Sequence, residues 1–338
     1  SGKGNYPVPS SRKIVFALST DSRIGITCTD QGKSDLLKSQ TIFKSHNSSF
    51  MKKILLLSLI FVTLLSMKDD KPAYRLFRQD GKNASYKDLI KEASGADIVF
   101  FGELHDNPIC HWLEYEITAD LFAAKGSNLV LGAEMFEADN QLIVNEYLAG
   151  LVKEKDFEAQ ARLWPNYKTD YKRLLNFARD SSLRFIATNI PRRYAAMVNK
   201  SGFEILSTLE KDALTFMAPL PIKYDSTLAC YADMAKAMGG GSSHITSNIT
   251  KAQAMKDATM AHFILANFTK GKTFLHYNGS YHSDRFQSII WYLKQANPGL
   301  KIVTISSVEQ SDLDELKKES EGLANYIVTV SETMSKSQ

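Results

Sequence analysis

One stretch constrains this chain more than any other: Ile98-Val-Phe-Phe-Gly-Glu-Leu-His-Asp-Asn-Pro-Ile-Cys-His111. Four apolar, β-favouring residues run into Gly102, a cluster of polar residues follows, and Pro108 opens an amphipathic helix. An apolar strand ending in a glycine turn and a helix start is the βα junction of an α/β domain. Functional groups of such domains collect at the carboxyl ends of the strands. Glu103 and His105 stand at that end, and His111 lies in the first turn or so of the helix.

The same grammar repeats downstream. Strands are predicted at 129–131, 184–188, 273–277 and 301–305, with a further one at 326–330. Helices are predicted over 140–148, 169–180 and 248–268, with another beginning after Pro191 and one running to about 295. The expected architecture is α/β: a mostly parallel sheet flanked by helices on both faces. Between 216 and 247 the periodicity fails, and prolines with a triple glycine at 239–241 mark a long loop or a small helical lid.

The front of the chain reads differently. Met51-Lys-Lys and the apolar run after it match the charged and hydrophobic regions of a secretory signal peptide, and that run is short for a membrane span of about 20 residues. Residues 1–50 then read as a mis-assigned start or added sequence, 51–67 as the export signal, and 68–338 as a single domain. The leader distorts the formal charge of +4, because residues 1–67 hold nine Lys/Arg against three Asp. The remainder carries 32 basic and 34 acidic residues, with no basic stripe interleaved with aromatics, so nucleic acid is not an expected partner. Three cysteines are too few for a disulfide framework; Cys110 and Cys230 remain after the leader, and Cys110 reads as a buried free thiol.

Four successive strand ends carry chemistry-capable residues: Glu103 and His105; Glu134 and Glu137; Asn189 and Arg192; His276, Asn278 and His282. Their equivalent topological positions argue for one shared pocket. Imidazole beside carboxylate suits a divalent transition metal, with His105, Glu134 and His282 as the expected ligands. The same groups suit acid–base work by Glu103, His105, Glu134 and His282. Glu137, Asp106 and His276 read better as caps and loop contacts, and His262 as a surface or packed residue on a helix. The chain has no Gly-x-Ser-x-Gly elbow, no His-Glu-x-x-His, no phosphate loop and no Gly-x-Gly-x-x-Gly after the first strand.

The motifs Phe101-Gly-Glu-Leu-His-Asp-Asn-Pro, Leu131-Gly-Ala-Glu-Met-Phe-Glu, Ala187-Thr-Asn-Ile-Pro-Arg, Asp257-Ala-Thr-Met-Ala and Gly279-Ser-Tyr-His follow in order. Together they resemble the ChaN family, iron-regulated haem-binding lipoproteins of bacteria, over roughly residues 74–306. That family is grouped with the Tiki and TraB proteins and related to erythromycin-esterase-like proteins, some of which are hydrolases, metal-dependent in Tiki. The resemblance implies an exported, periplasmic or outer-membrane-associated haem protein of iron acquisition. It also implies a homodimer that sandwiches haems and an outer-membrane haem receptor as partner. It carries over Glu103, His105, Glu134 and His282 by motif position, and no haem ligand. Met67 stands where a lipoprotein would carry its cysteine, which puts a lipid anchor in doubt.

Haem needs a His or Tyr ligand and an apolar, aromatic cover. His111, Tyr115, Tyr194 and Tyr281, with Trp164, Tyr167 and Tyr171, offer such a surface, and Asn189, Arg192 and Asn278 its polar rim. Two functions follow: haem held at the pocket mouth, or hydrolysis by Glu103, His105, Glu134 and His282.

Overall fold

The computed structural model describes residues 71–238 and 245–337. Seven strands form one sheet: β1 (Tyr74–Arg78), β2 (Ile98–Glu103), β3 (Leu129–Glu137), β4 (Phe185–Asn189), β5 (Thr273–Gly279), β6 (Ile302–Gln310) and β7 (Tyr326–Ser331). Their spatial order is β1-β7-β6-β2-β5-β3-β4. β1 lies antiparallel to β7, and every other neighbouring pair is parallel. The helices are α1 (Tyr86–Ser94), α2 (Pro108–Lys125), α3 (Gln141–Leu148), α4 (Glu154–Gln160), α5 (Lys172–Asp180), α6 (Arg192–Ser201), α7 (Lys211–Leu214), α8 (Ala229–Ala237), α9 (Ile245–Asn267) and α10 (Ile289–Ala296).

The strands at the centre are apolar on both sides because helices cover both faces, as parallel sheets require. Val99 and Phe101 of β2 join the core under α1, α2, α3 and α5. Ile98 and Phe100, one residue out of phase, join the core under α9 and α10. All four are fully buried, each worth about 1.5–3 kcal/mol relative to exposure. β2 therefore anchors the residues that follow it. Asn107 then starts α2, its side chain accepting from Ile109 N at 3.0 Å and Cys110 N at 3.4 Å, with Pro108 at the first helical position. This cap fixes where the chain turns after Glu103 and His105.

The predicted α/β architecture stands, with differences in its elements, α1, α4 and α7 among those not predicted. β1 escaped prediction, being a strand of only five residues at a sheet edge. The predicted 169–180 helix begins as a single π-helical turn, Tyr167–Tyr171, before α5. β3 is longer than the apolar triplet that announces it, because its register with β4 slips between Ala133 and Glu137. That irregularity lets the strand carry Glu134 inward. In the predicted 216–247 loop or lid, α8 forms a short helix, and the triple glycine at 239–241 lies outside the described residues. The export-signal reading of 51–67 also falls outside them. Among the described residues no helix is long and apolar enough to cross a membrane.

Candidate functional site

A cleft of about 930 Å³ opens at the carboxyl ends of β2, β3, β4 and β5. Glu103, His105, Glu134, Asn189, Arg192, Tyr281 and His282 all line it, so seven of the predicted site residues share one cavity. Leu163, Trp164, Pro165 and Ile190 supply its apolar wall, and Arg162 and Lys256 add charge.

Glu103, at the end of β2, is buried and organises one side of the cleft. Its Oε1 lies 2.6 Å from His105 Nδ1 and accepts from the Tyr171 hydroxyl at 2.8 Å. Its Oε2 lies 3.0 Å from His111 Nδ1. Burial opposes the charge of Glu103, but the bonds from His105 and His111 hold its carboxyl below the usual range. Burial likewise opposes charge on His105, and Glu103 with Glu134 overcomes it, raising the imidazole above its ordinary value. Trp164 meets the His105 ring edge-on at 4.9 Å, and no acceptor among the described residues engages its Nε2. The ring also packs so close to Gly279 that an added Cβ there would stand 2.6 Å from Nε2.

His111, expected as part of a haem surface, is instead buried behind His105. Its Nδ1 lies 3.4 Å from Glu114 Oε2, and its Nε2 reaches the His105 carbonyl at 3.3 Å. Against burial, the two glutamates push its pKa up to about 11. Burial and the charge of Glu103 together raise Glu114 well above the carboxylate range. Glu103, His111 and Glu114 have ligand atoms within 4.8 Å of one another, a donor set that suits a divalent cation. The expected trio of His105, Glu134 and His282 is not gathered so tightly.

The other side of the cleft is built on His282, buried one turn beyond β5. Its Nε2 lies 3.1 Å from Glu134 Oε1 and its Nδ1 2.5 Å from Asp257 Oδ1. Tyr231 donates to the second Asp257 oxygen at 2.8 Å, and Gly279 N donates to Glu134 Oε2 at 2.8 Å. Burial alone would lower His282, yet Glu134 and Asp257 raise it to about 10. Burial would raise Glu134, yet His282 holds it far below the carboxylate range. Burial lifts Asp257 above its ordinary value.

The remaining predicted residues lie elsewhere. Tyr115 packs edge-on against Phe177 with Arg173 over its ring. Tyr194 sits in a separate apolar cluster around α6. Asn278 is buried and bonded to His276 Nδ1 at 3.0 Å and Ser283 Oγ at 3.1 Å. His276, its other nitrogen 2.8 Å from Thr188 Oγ1, is held neutral by burial with a pKa near 4, a structural role. Glu137, by contrast, does line the cleft, where it pairs with Arg162 at 3.0 Å. Cys110 and Cys230 are both free thiols, and burial pushes Cys110 up to about 12.

Sequence reasoning missed Asp257 as the partner of His282. The signal was present: an acid on the buried stripe of α9, three residues after Ala254 and four before Ala261. Glu114 left the same kind of signal on α2, four residues before Thr118.

Fold and site together define an α/β protein whose strand ends bring two histidine–carboxylate groups to one aromatic-walled cleft. Residues 89–293 match the family described as haem-binding uptake, Tiki superfamily, ChaN, and the chain belongs to that family. Among solved structures, ChaN of Campylobacter jejuni, described with cofacial haem binding, is 17% identical with a TM-score of 0.60, covering 76% of this chain and 97% of its own. A Bacillus cereus protein is 15% identical with a TM-score of 0.45, covering 75% and 93%. An erythromycin esterase mutant, EreC, in its open conformation is 11% identical with a TM-score of 0.46, covering 79% and 99%. The first likeness establishes the shared fold; the other two are too distant to bear on the site. Among curated proteins no match was found.

Proposed function

We propose that this protein binds haem at the mouth of the cleft, with Tyr281 as the iron ligand, and serves bacterial iron acquisition as an exported protein. The observation that carries the reading is Tyr281 itself. It is 68% exposed at the rim of a cleft walled by Leu163, Trp164 and Ile190, and its hydroxyl has no partner among the described residues. A large aromatic left in water beside an apolar wall marks a binding surface, and a tyrosine oxygen is an established haem ligand. Bound haem would supply the iron and a broad apolar face; this chain's part is to cover that face and hold the iron. His105 lies deeper, its Nδ1 held 2.6 Å from Glu103 Oε1. His111 is sealed behind it.

Membership in a family described by haem-binding uptake supports the function, and the Campylobacter jejuni relative's cofacial haem binding supports a homodimer that brings two haems together. The export-signal pattern from Met51 supports a periplasmic or outer-membrane-associated location, with an outer-membrane haem receptor as the natural partner. A haemin titration of the purified protein tests the reading. A Soret band that saturates at a simple stoichiometry is expected, and no saturable change at micromolar haemin would overturn it.

A second reading rests on one observation: the chain Asp257–His282–Glu134 faces the same cleft as Glu103–His105. A carboxylate that orients and charges an imidazole is the arrangement of general acid–base catalysis. A divalent transition metal would find donors in His105, Glu134 and His282, or in Glu103, His111 and Glu114. Ester hydrolysis by haem-free protein, lost in His282→Ala, would favour this hydrolase; metal analysis of the same sample would tell which donors matter.

A further inference from the structure

Tyr281 and His282 share a short 3-10 turn, Ser280–His282, and α10 begins at Ile289. The backbone between them is strained. Among the described residues four non-glycine residues have left-handed φ, and three of these lie in this connection: Arg285 at 55°, Phe286 at 58° and Ser288 at 53°. A Cβ makes that conformation costly, most of all for a bulky residue such as Phe286, and it persists only where surrounding contacts force it. Those contacts are present. Arg285 N donates to the Leu323 carbonyl at 2.7 Å, and Ser306 Oγ of β6 donates to Asp284 Oδ1 at 2.6 Å. Cys230 N of α8 donates to Gln287 Oε1 at 2.8 Å, and Phe286 packs on the core under α9 and α10. Strain held in place from several sides beside a ligand-binding rim is a pointer to function.

What the strain secures is the direction of one hydroxyl. Ser288 stands at the N-cap of α10, where a serine oxygen ordinarily accepts from the first-turn amides, and here it makes no such bond. Ser288 Oγ donates instead to the Tyr281 carbonyl at 3.1 Å. Ser288 is 1% exposed and Tyr281 68%, so a buried group holds the main chain of an exposed ring. From the other side His282 is fixed through Glu134 and Asp257. With its backbone pinned at both neighbours, the Tyr281 ring keeps only its own side-chain torsions. We propose that Ser288, in its left-handed conformation, is a positioning residue for Tyr281. It presents the phenol oxygen at the cleft rim already in place, so that a ligand engaging it does not have to order the turn. The identity of that ligand rests on the haem reading, whereas the fixing of Tyr281 belongs to the protein without ligand.

Two variants of the full chain separate positioning from stability. Ser288→Ala removes the hydroxyl and keeps the strained backbone; Ser288→Gly removes the hydroxyl and relieves the strain. A hydrogen bond of this kind is worth roughly fivefold in an equilibrium constant, so both variants should weaken haemin binding by about that factor. Both should also shift or broaden the ligand-sensitive bands of ferric haem. Ser288→Gly should nevertheless melt no lower than Ser288→Ala, because glycine adopts left-handed φ freely. A residue serving stability alone would move melting and spectrum together. Amide relaxation NMR on the haem-free protein supplies the second readout. The Tyr281 amide should be as ordered as those of β5 in the wild type and looser in Ser288→Ala. A Tyr281 amide already mobile in the wild type, or unchanged in Ser288→Ala, would overturn the proposal. So would wild-type haemin affinity and spectrum in both variants. Absence of a saturable Soret band in the wild type, alongside a Tyr281 amide that loosens in Ser288→Ala, would overturn the haem reading and leave the positioning of Tyr281 standing.

Discussion

Replacing Gly279 with alanine isolates the geometry of His105 from everything else in the fold. Gly279 has φ −57° and ψ 139°, a backbone any residue adopts, so the effect is not one of backbone strain. The new Cβ would stand 2.6 Å from His105 Nε2 and 3.0 Å from Cε1. Non-bonded carbon contacts settle near about 3.5–4.0 Å, so the ring must retreat by roughly 1 Å. It cannot do so and keep the 2.6 Å bond to Glu103, while Trp164 meets it from the side. Overpacking costs about 1–3 kcal/mol, and loss of glycine's unfolded-state freedom returns about 0.4–1 kcal/mol. The net destabilisation is therefore small, about 0.5–2 kcal/mol, and the main effect falls on the imidazole. Histidine NMR titration should show His105 moving down from its raised pKa toward the ordinary value, with the Gly279 N–H bond to Glu134 retained. Gly102→Ala is the contrasting case. Its Cβ would meet Ser280 Cα at 2.9 Å and the Ile305 carbonyl at 3.0 Å, backbone atoms that cannot swing aside, so it should destabilise more and perturb His105 less directly. An unchanged His105 titration in Gly279→Ala would refute the packing argument.

Other outcomes follow from the buried charges. His282 has a pKa of about 10 against an ordinary 6.5, so its contribution to stability is complete below about 6.5 and lost as pH rises toward 10. Asp257→Asn should therefore cost about 3 kcal/mol at pH 6 and converge on wild type near pH 10, read by denaturant melts; a cost that does not vary with pH would contradict this. Glu114 has a raised pKa, so its folded form keeps a proton that the unfolded chain releases, and stability from it is lost as pH rises above about 4.5. Glu114→Gln mimics the protonated acid and should match wild type at pH 5 and exceed it at pH 8; a loss at pH 8 together with loss of bound metal would instead assign Glu103, His111 and Glu114 to a cation. Finally, if 68–338 is the folding unit, a chain starting at Lys68 should melt within about 2 °C of the full chain, and a larger drop would show that the leader contributes to it.

The sheet was legible because β2 through β5 bury both faces and so carry continuous apolar runs, each ending in a glycine or a polar cluster. The cleft was legible for the same reason: Glu103, His105, Glu134 and His282 directly follow those runs. Residues brought in from helices were harder to see. Asp257 and Glu114 interrupt apolar stripes, a pattern visible only once the helix is assumed to be buried there. Tyr115 and Tyr194 illustrate the converse error, because an aromatic residue near a strand end is indistinguishable in sequence from one packed beneath a helix. His111 was placed correctly on α2, but the helix cap at Asn107 turns it inward, behind His105, and the sequence holds no sign of that rotation. Tyr281 was legible as a candidate, while its exposure at the rim depended on how the turn after β5 folds.

The central claim is that haem sits at the rim on Tyr281, outside the histidine–carboxylate floor. Parallel haemin titrations of wild type, Tyr281→Phe and His105→Ala, followed at the Soret band and by the ligand-sensitive bands of ferric haem, test it most directly. The account predicts that Tyr281→Phe shifts or abolishes the spectrum with the melting temperature preserved, while His105→Ala keeps both spectrum and affinity. A wild-type spectrum in Tyr281→Phe combined with its loss in His105→Ala would contradict it.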